Sequence, residues 1–251
     1  MSGHSKWSKI KRAKGVADAK KGNVFTKLVK EIMAATKAGD PNPDANIRLR
    51  MAVQKARDNN MPMDNIKRAI EKGSGKEAGP PPSETVLEGY GPGGIAILVR
   101  ALTENKNRTV QEVRNVFNRN GGSLAESGAV AWLFESKGVI DIDAPSGKED
   151  EFGLLAIDCG AEDVKTDKGL TEAYTKPQEV EAVRQCLEVK GVKISSAEPK
   201  LVPKTTIMAS LKVATQTIKL MEMLEELEDV QDVYSNVDFT EEVIEALSAQ
   251  T

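Results

Sequence analysis

ETVLEGYGPGGIAILVRALTENKNRTVQEVRNVFNRNGG, residues 84–122, decides how the rest of the chain is read. ETVLEGY (84–90) alternates as a half-buried strand, GPGG (91–94) is a turn, and IAILVRAL (95–102) is an apolar strand. NRTVQEVRNVFNRNGG (107–122) predicts a helix with Val110, Val113, Val116 and Phe117 inward and Gly121-Gly122 at its end. AVAWLFE (129–135) predicts a further strand. This β-β-α-β run is one helix and one strand short of a closed α+β layer pair.

The missing pieces do not follow directly. GVIDIDA (138–144), a helix over 149–160, a hairpin over 162–176, a helix over 178–191 and a strand over 192–203 make a complete β-α-β-β-α-β unit of the split, ferredoxin-like kind. Only then come LKVATQTIKLMEMLEELED (211–229), a strongly amphipathic helix, VQDVYSNV (230–237), a strand, and TEEVIEALS (240–248), a short helix. The tail supplies what 84–135 lacks. The expected fold class is a multidomain α+β chain. Residues 84–135 plus 205–251 form one discontinuous α+β domain, and 136–204 form a second ferredoxin-like domain inserted into it.

Upstream, GSGKEAGPPPS (73–83) has no periodicity and three consecutive prolines, so 77–83 is a semi-rigid linker. Before it, residues 23–76 predict a three-helix bundle. Asn23 would cap the first helix, whose apolar face holds Phe25, Leu28, Val29, Ile32, Met33 and Ala35. PNPD (41–44) would open the second, with Pro43 in its first turn. The third would run from about Asp64 to Gly73. Residues 1–22 form a basic arm expected to be flexible.

Charge separates these parts. Residues 1–76 hold 18 Lys+Arg against 7 Asp+Glu, a net of +11, and residues 77–251 hold 17 against 31, a net of −14. Such asymmetry points to nucleic acid, an acidic partner or an anionic membrane. Ser5–Gly22 offers little apolar surface beyond Trp7, Ile10 and Val16, which argues against the membrane. No secretory h-region and no apolar run of membrane-spanning length is present, and a cytoplasmic location is expected. Cys159 and Cys186 are expected to be buried free thiols, in keeping with a reducing compartment.

No catalytic or metal-binding constellation emerges, and neither an enzyme activity nor a cofactor is expected. His4 is the only histidine, which removes His-pair metal sites and makes a Ser-His-Asp triad untenable. GYGPGG (89–94) lies between two strands and reads as a hairpin turn, not a phosphate-cradling loop. EELED (225–229) reads as a solvated helix surface, and Met208, Met221 and Met223 as core filler. Asp141 and Asp143 share a strand face and offer at most a weak cation contact. TENKNRT (103–109) sits at a strand-to-helix turn: it either caps the helix through Thr103 or Asn105, or presents Lys106 and Arg108 to a phosphate at the helix N-terminus.

The basic segments carry the functional reading. In the arm, His4, Lys6, Trp7, Lys9, Lys11, Arg12, Lys14, Lys20 and Lys21 combine phosphate-neutralising cations with one aromatic that can stack on a base. On the bundle, Lys27, Lys30, Arg48, Arg50, Lys55 and Arg57 extend the cationic surface, with Lys67 and Arg68 beyond them. A Lys-rich arm suits irregular RNA, whereas no helix-turn-helix with a clear recognition helix is evident.

GHSKWSKIKRAKG (3–15), DAKKGNVFTKLVKEI (18–32), GDPNPDANIRLRMAVQKARDNNMP (39–62), EGYGPGGIAILV (88–99), TENKNRT and VRNVFNRNGGSL (113–124) together resemble the signature of the YebC family, which includes the mitochondrial translational activator of cytochrome oxidase. The resemblance runs from Gly3 to about Ile244 and is loosest across 145–175. It implies one helical and two α+β domains, with no cofactor. It also implies one of two roles: a DNA-binding transcriptional regulator, as members have long been labelled, or a ribosome-associated factor that helps translation through proline-rich stretches. The expected partner is therefore ribosomal RNA on the large subunit, with promoter DNA as the alternative. The family's residue contacts are not carried over, so the site residues rest on charge and position.

Overall fold

The structure is a computed structural model that describes residues 21–75, 82–145, 147–167, 170–240 and 243. Trp132–Thr206 forms one compact unit, and the remaining described residues form a second. The last predicted helix, 240–248, lies almost wholly outside the described residues.

The second unit begins with helices α1 (Lys21–Ala38), α2 (Ile47–Asp58) and α3 (Met63–Gly73). Their core repeats at three- and four-residue spacing along each helix, with Leu28, Ile32 and Ala35 on α1, Leu49, Val53 and Ala56 on α2 and Ile66 and Ala69 on α3, and Met61 from the connection joins it. Gly73 lets α3 close on α1, because a Cβ there would stand 2.8 Å from the Met33 carbonyl oxygen. Two predicted caps are corrected. Asn23 lies inside α1, and its side chain serves another element, described below. α2 starts four residues after Pro43, capped by Asn46, whose Oδ1 accepts from the Leu49 N–H at 3.0 Å. The Asn46 amide also donates to Ala35 and Asp40 carbonyls at 2.9 Å, so one buried side chain ties α1 to α2.

β1 (Ser83–Tyr90) and β2 (Ala96–Thr103) form an antiparallel hairpin, and α4 (Lys106–Arg119) carries the chain across β1 to β3 (Ser123–Leu124). The hairpin turn uses Gly93 and Gly94 at φ 71° and 75°, conformations that only glycine adopts without strain. The strand predicted over 129–135 is a correction. Gly128 turns at φ 89°, and the Glu88 carboxylate accepts from the N–H groups of Gly128, Val130 and Ala131 at 2.6–2.8 Å. Those donors are therefore engaged by a side chain rather than by a sheet. Burial raises the Glu88 pKa, but these three hydrogen bonds outweigh it and leave the pKa lowered.

The chain then enters the first unit: β4 (Phe134–Ile142), α5 (Glu149–Asp158), β5 (Asp163–Asp167), β6 (Leu170–Thr175), α6 (Val180–Val189) and β7 (Ile194–Pro203). The sheet order is β5-β6-β4-β7, antiparallel throughout, the split β-α-β-β-α-β arrangement. α6 packs directly on β4 at Gly138, where a side chain would overlap Val180 and Thr175.

The tail returns to the second unit with β8 (Ile207–Met208), α7 (Leu211–Glu225), β9 (Val230–Ser235) and β10 (Val237–Asp238). β9 pairs antiparallel with β2, placing Val233 opposite Val99 and giving the order β3-β1-β2-β9. α4 and α7 share one core with this sheet: Leu87, Ile97, Val99, Val113, Phe117, Ile218, Met221 and Val233. The fold is thus a three-helix bundle followed by two α+β domains, one inserted in the other. Of the methionines predicted as filler only Met221 is buried; Met208 and Met223 are exposed.

Cys159 and Cys186 are bonded to each other rather than free, with Cα atoms 5.8 Å apart. The bond staples the end of α5 to α6 and closes a loop across a sequence separation of 27 residues, a constraint that stabilises a domain by about 3 kcal/mol. Paired in this way, the two cysteines give no sign of a reducing compartment.

Strand register also gathers a buried polar group in the first unit. Asp141 stands opposite Glu172 on β6 and Ser196 on β7. Its Oδ2 accepts from the Ser196 hydroxyl and from the Lys200 ammonium at 3.2 Å, so it is engaged within the fold. Asp143 faces Lys193 at 3.7 Å. Glu172 is fully buried, takes one hydrogen bond from the Tyr174 hydroxyl at 2.7 Å, and has its other oxygen unpartnered. Burial pushes its pKa up to about 7; the Tyr174 hydrogen bond opposes the rise and the Asp141 charge adds to it. A carboxyl raised in the folded state holds its proton between the unfolded value near 4.5 and about 7, so stability falls as pH climbs through that window. Glu172→Gln should be more stable than the unaltered protein at pH 8, by on the order of 3 kcal/mol, and about equal to it near pH 4. Thermal melts at the two pH values check this; equal gains at both would mean that Glu172 does not titrate in that range.

Candidate nucleic-acid interface

The predicted cations fall into three groups. His4, Lys6, Trp7, Lys9, Lys11, Arg12, Lys14 and Lys20 lie outside the described residues, and Lys21 is the first residue of α1. Lys27, Lys30, Arg48, Arg50 and Arg108 are held by partners within the protein. Lys55, Arg57, Lys67, Arg68 and Lys106 are exposed to solvent.

All of the second group except Arg50 build or support the junction between bundle and sheet. α7 ends at Glu225, leaving carbonyl oxygens that no further turn satisfies. Lys27 Nζ donates to the Glu225 oxygen at 2.6 Å and Asn23 Nδ2 to the Glu226 oxygen at 2.9 Å. A cation at a helix C-terminus also meets the negative end of the helix dipole. One turn along α1, Lys30 Nζ reaches Asp229 at 2.6 Å and Glu228 at 2.9 Å.

Asp229 is the hub of this junction. Its side chain is only 1% exposed. Oδ1 takes Lys30, and Oδ2 takes Arg108 at 2.7 Å, the Thr109 hydroxyl at 2.7 Å and the Thr103 hydroxyl at 3.2 Å. Burial would raise its pKa, but the hydrogen bonds from Lys30, Thr109 and Arg108 more than offset this and hold it at about 2. Lys30 shifts the other way and is raised: burial works against its charge, and Asp229 and Glu228 overcome that.

In TENKNRT the helix cap is present. Asn105 caps α4, accepting from the Arg108 N–H at 3.1 Å, while Thr103, Arg108 and Thr109 close on Asp229. Lys106 is the cation of the motif that faces solvent, without a partner among the described residues. EELED is corrected in turn: α7 stops at its first residue, and the last, Asp229, is buried in the junction rather than solvated.

A second ionic network runs beside the first. Arg100 of β2 binds Asp232 of β9 at 2.6 Å and Glu31 of α1 at 3.0 Å. Arg48 of α2 bridges the same Glu31 at 3.1 Å and Glu84 of β1 at 2.9 Å. Both guanidinium pKa values rise, since these carboxylates outweigh the cost of burial. Arg50 turns inward on the 41–46 loop, donating to the Pro43 and Asp44 carbonyls at 3.1 and 2.6 Å. Asp229, Glu31, Glu84, Arg100 and Asp232 were not singled out by sequence reasoning. Thr103 and Thr109 flanking a capping Asn were the one local sign that a buried acceptor was needed nearby.

The bundle's solvent-facing cations cluster at the end of α2 (Lys55, Arg57) and along α3 (Lys67, Arg68). Among the described residues, no group of three or more His, Cys, Asp or Glu is placed to hold a metal ion. No described helix is long and apolar enough to cross a membrane.

A basic three-helix bundle clamped by ion pairs to an α+β domain, with a second α+β domain inserted in the latter's sequence, defines the class. The chain belongs to the TACO1/YebC family: residues 5–76 match the TACO1/YebC protein N-terminal domain, and residues 82–237 match the TACO1/YebC second and third domain. A probable transcriptional regulatory protein of Dehalococcoides mccartyi strain CBDB1 is 56% identical over the full length of both chains. One from Chloroflexus aggregans is 50% identical over 98% of each. The crystal structure of a conserved hypothetical protein from Aquifex aeolicus, 45% identical, superposes with a TM-score of 0.82 over 89% of this chain and 93% of that one.

Proposed function

We propose that this protein is a nucleic-acid-binding regulator of gene expression, acting in the cytoplasm as a ribosome-associated translation factor. It binds large-subunit ribosomal RNA and relieves stalling at proline-rich stretches. The observation that carries the reading is the charge split, +11 over residues 1–76 against −14 beyond. With Lys27, Lys30 and Arg48 engaged at the junction, the bundle still exposes Arg57, Lys67 and Arg68, and the sequence before it is Lys-rich. Such a surface suits the irregular phosphate geometry of folded RNA. The proline-stalling role follows from the family resemblance.

The second reading, a transcriptional regulator on promoter DNA, is favoured by the names its relatives carry. In-cell ultraviolet crosslinking of the tagged protein, with bound RNA and DNA sequenced in parallel, separates the two. Reads concentrated in large-subunit ribosomal RNA are expected. Reads at discrete promoters, with ribosomal RNA at background, would overturn the translation reading.

A further inference from the structure

We infer that the outward face of α4 is a second RNA-binding surface, one that meets base edges rather than only phosphates. The inference rests on the RNA reading above. α4 is set apart within the acidic body: it carries four cations, Lys106, Arg108, Arg114 and Arg119, against the single carboxylate Glu112, a net of +3. α5, by contrast, carries Glu149, Asp150, Glu151 and Asp158 with no cation, and the one cation of α6, Arg184, is held by Glu181 and Glu188.

The position of each side chain matters more than the total. Val113, Phe117 and Thr109 turn into the core and fix α4 on its sheet. At about 100° per residue, Asn107, Gln111, Arg114, Asn115 and Asn118 fall on the opposite side, in a stripe roughly 100° wide. The stripe holds no carboxylate and no apolar group, and all five side chains are exposed. None of them has an intramolecular hydrogen bond or ion pair among the described residues. Arg119 flanks the stripe on one edge. Glu112 lies off the stripe, 3.8 Å from Arg108.

Asn is among the weaker helix formers, so three of them on one solvent face do not serve helix stability. Amides and guanidinium are the groups that pair with base edges, and arginine also stacks on bases and neutralises phosphate. The occupant that fits is single-stranded RNA with splayed bases, because its edges are open to a shallow platform. The side of α4 that carries Thr109, Val113 and Phe117 is embedded in its own domain, which limits how deeply the helix can enter a duplex groove.

The test uses the full chain, a short mixed-sequence single-stranded RNA and duplex DNA of the same sequence. Arg114→Ala with Arg119→Ala should weaken RNA binding and lower the salt slope by about 1.4, two phosphate contacts at roughly 0.7 each. Gln111→Ala, Asn115→Ala and Asn118→Ala together should weaken it about tenfold with the slope unchanged. All are surface positions, and unaltered melting temperatures would confirm folding. If both α4 variants bind the RNA like the unaltered chain, while an arm variant loses affinity, the α4 inference fails and the RNA reading stands. A loss confined to duplex DNA also overturns it. Absence of RNA binding by the unaltered chain overturns the RNA reading and, with it, this inference.

Discussion

Asp229→Ala should lower the unfolding free energy by about 3–5 kcal/mol, the range found when one partner of a buried charge pair is removed. The size follows from what is left behind. Lys30, 12% exposed, would lose its close acceptor, and the fully buried Thr103 and Thr109 hydroxyls would lose the oxygen they share. Lys30→Met should cost less, because Arg108, Thr103 and Thr109 would still satisfy the carboxylate. Urea titrations of both variants give the comparison. A loss below about 1 kcal/mol for Asp229→Ala would make the cluster equivalent to a surface ion pair. The pH dependence has a definite sign. With the folded pKa at about 2 against 3.8 for a free aspartate, the stabilisation is complete above about pH 4 and is lost as pH falls towards 2. Its size is about 2.5 kcal/mol, and Asp229→Asn should remove that step from the acid-denaturation curve. This is opposite in direction to Glu172, whose stabilising form is the protonated one.

Replacing Lys9, Lys11, Arg12 and Lys14 together with Ala should leave the melting temperature unchanged and weaken RNA binding several hundred-fold near 0.1 M salt. If each side chain neutralises one phosphate, its loss flattens the dependence of log affinity on log salt by roughly 0.7–0.9, or about 3 for the four. Affinity measured at several salt concentrations separates this from a structural defect. An unchanged slope would remove the arm from RNA binding and leave the solvent-facing cations of α2 and α3 as the contact. Arg48 makes the useful contrast. It bridges Glu31 and Glu84, so its substitution should disturb the bundle–sheet junction before it disturbs nucleic acid.

The architecture was legible in the sequence to the extent that it depends on periodicity and on counting elements. The strand runs of β1 and β2 and the three- and four-residue spacing in α4 are local signals, since each side chain's direction follows from backbone geometry. The insertion was legible because 84–135 lacked a helix and a strand that only the tail could supply. The misreadings share a cause. AVAWLFE alternates like a strand, but the Glu88 carboxylate, more than 40 residues earlier, takes the N–H groups that pairing would need. Pro43 suits a first helical turn, but Asn46 caps better because it also reaches two carbonyls of the preceding segment. The two cysteines stand on separate helices in the sequence, and nothing local shows that their Cα atoms come within 5.8 Å.

By itself the sequence determined the element types, their order, the basic–acidic split and the resemblance that proved to be the family. All of these are properties of composition and short-range pattern. Tertiary structure alone decided which cations face solvent. Lys30 and Lys67 have identical side chains, each in a bundle helix, and Lys67 is exposed. Lys30 is engaged because Asp229, 199 residues further on, is brought within 2.6 Å of it. Coulomb attraction and desolvation act over a few ångströms of space, and only the folded chain sets those distances.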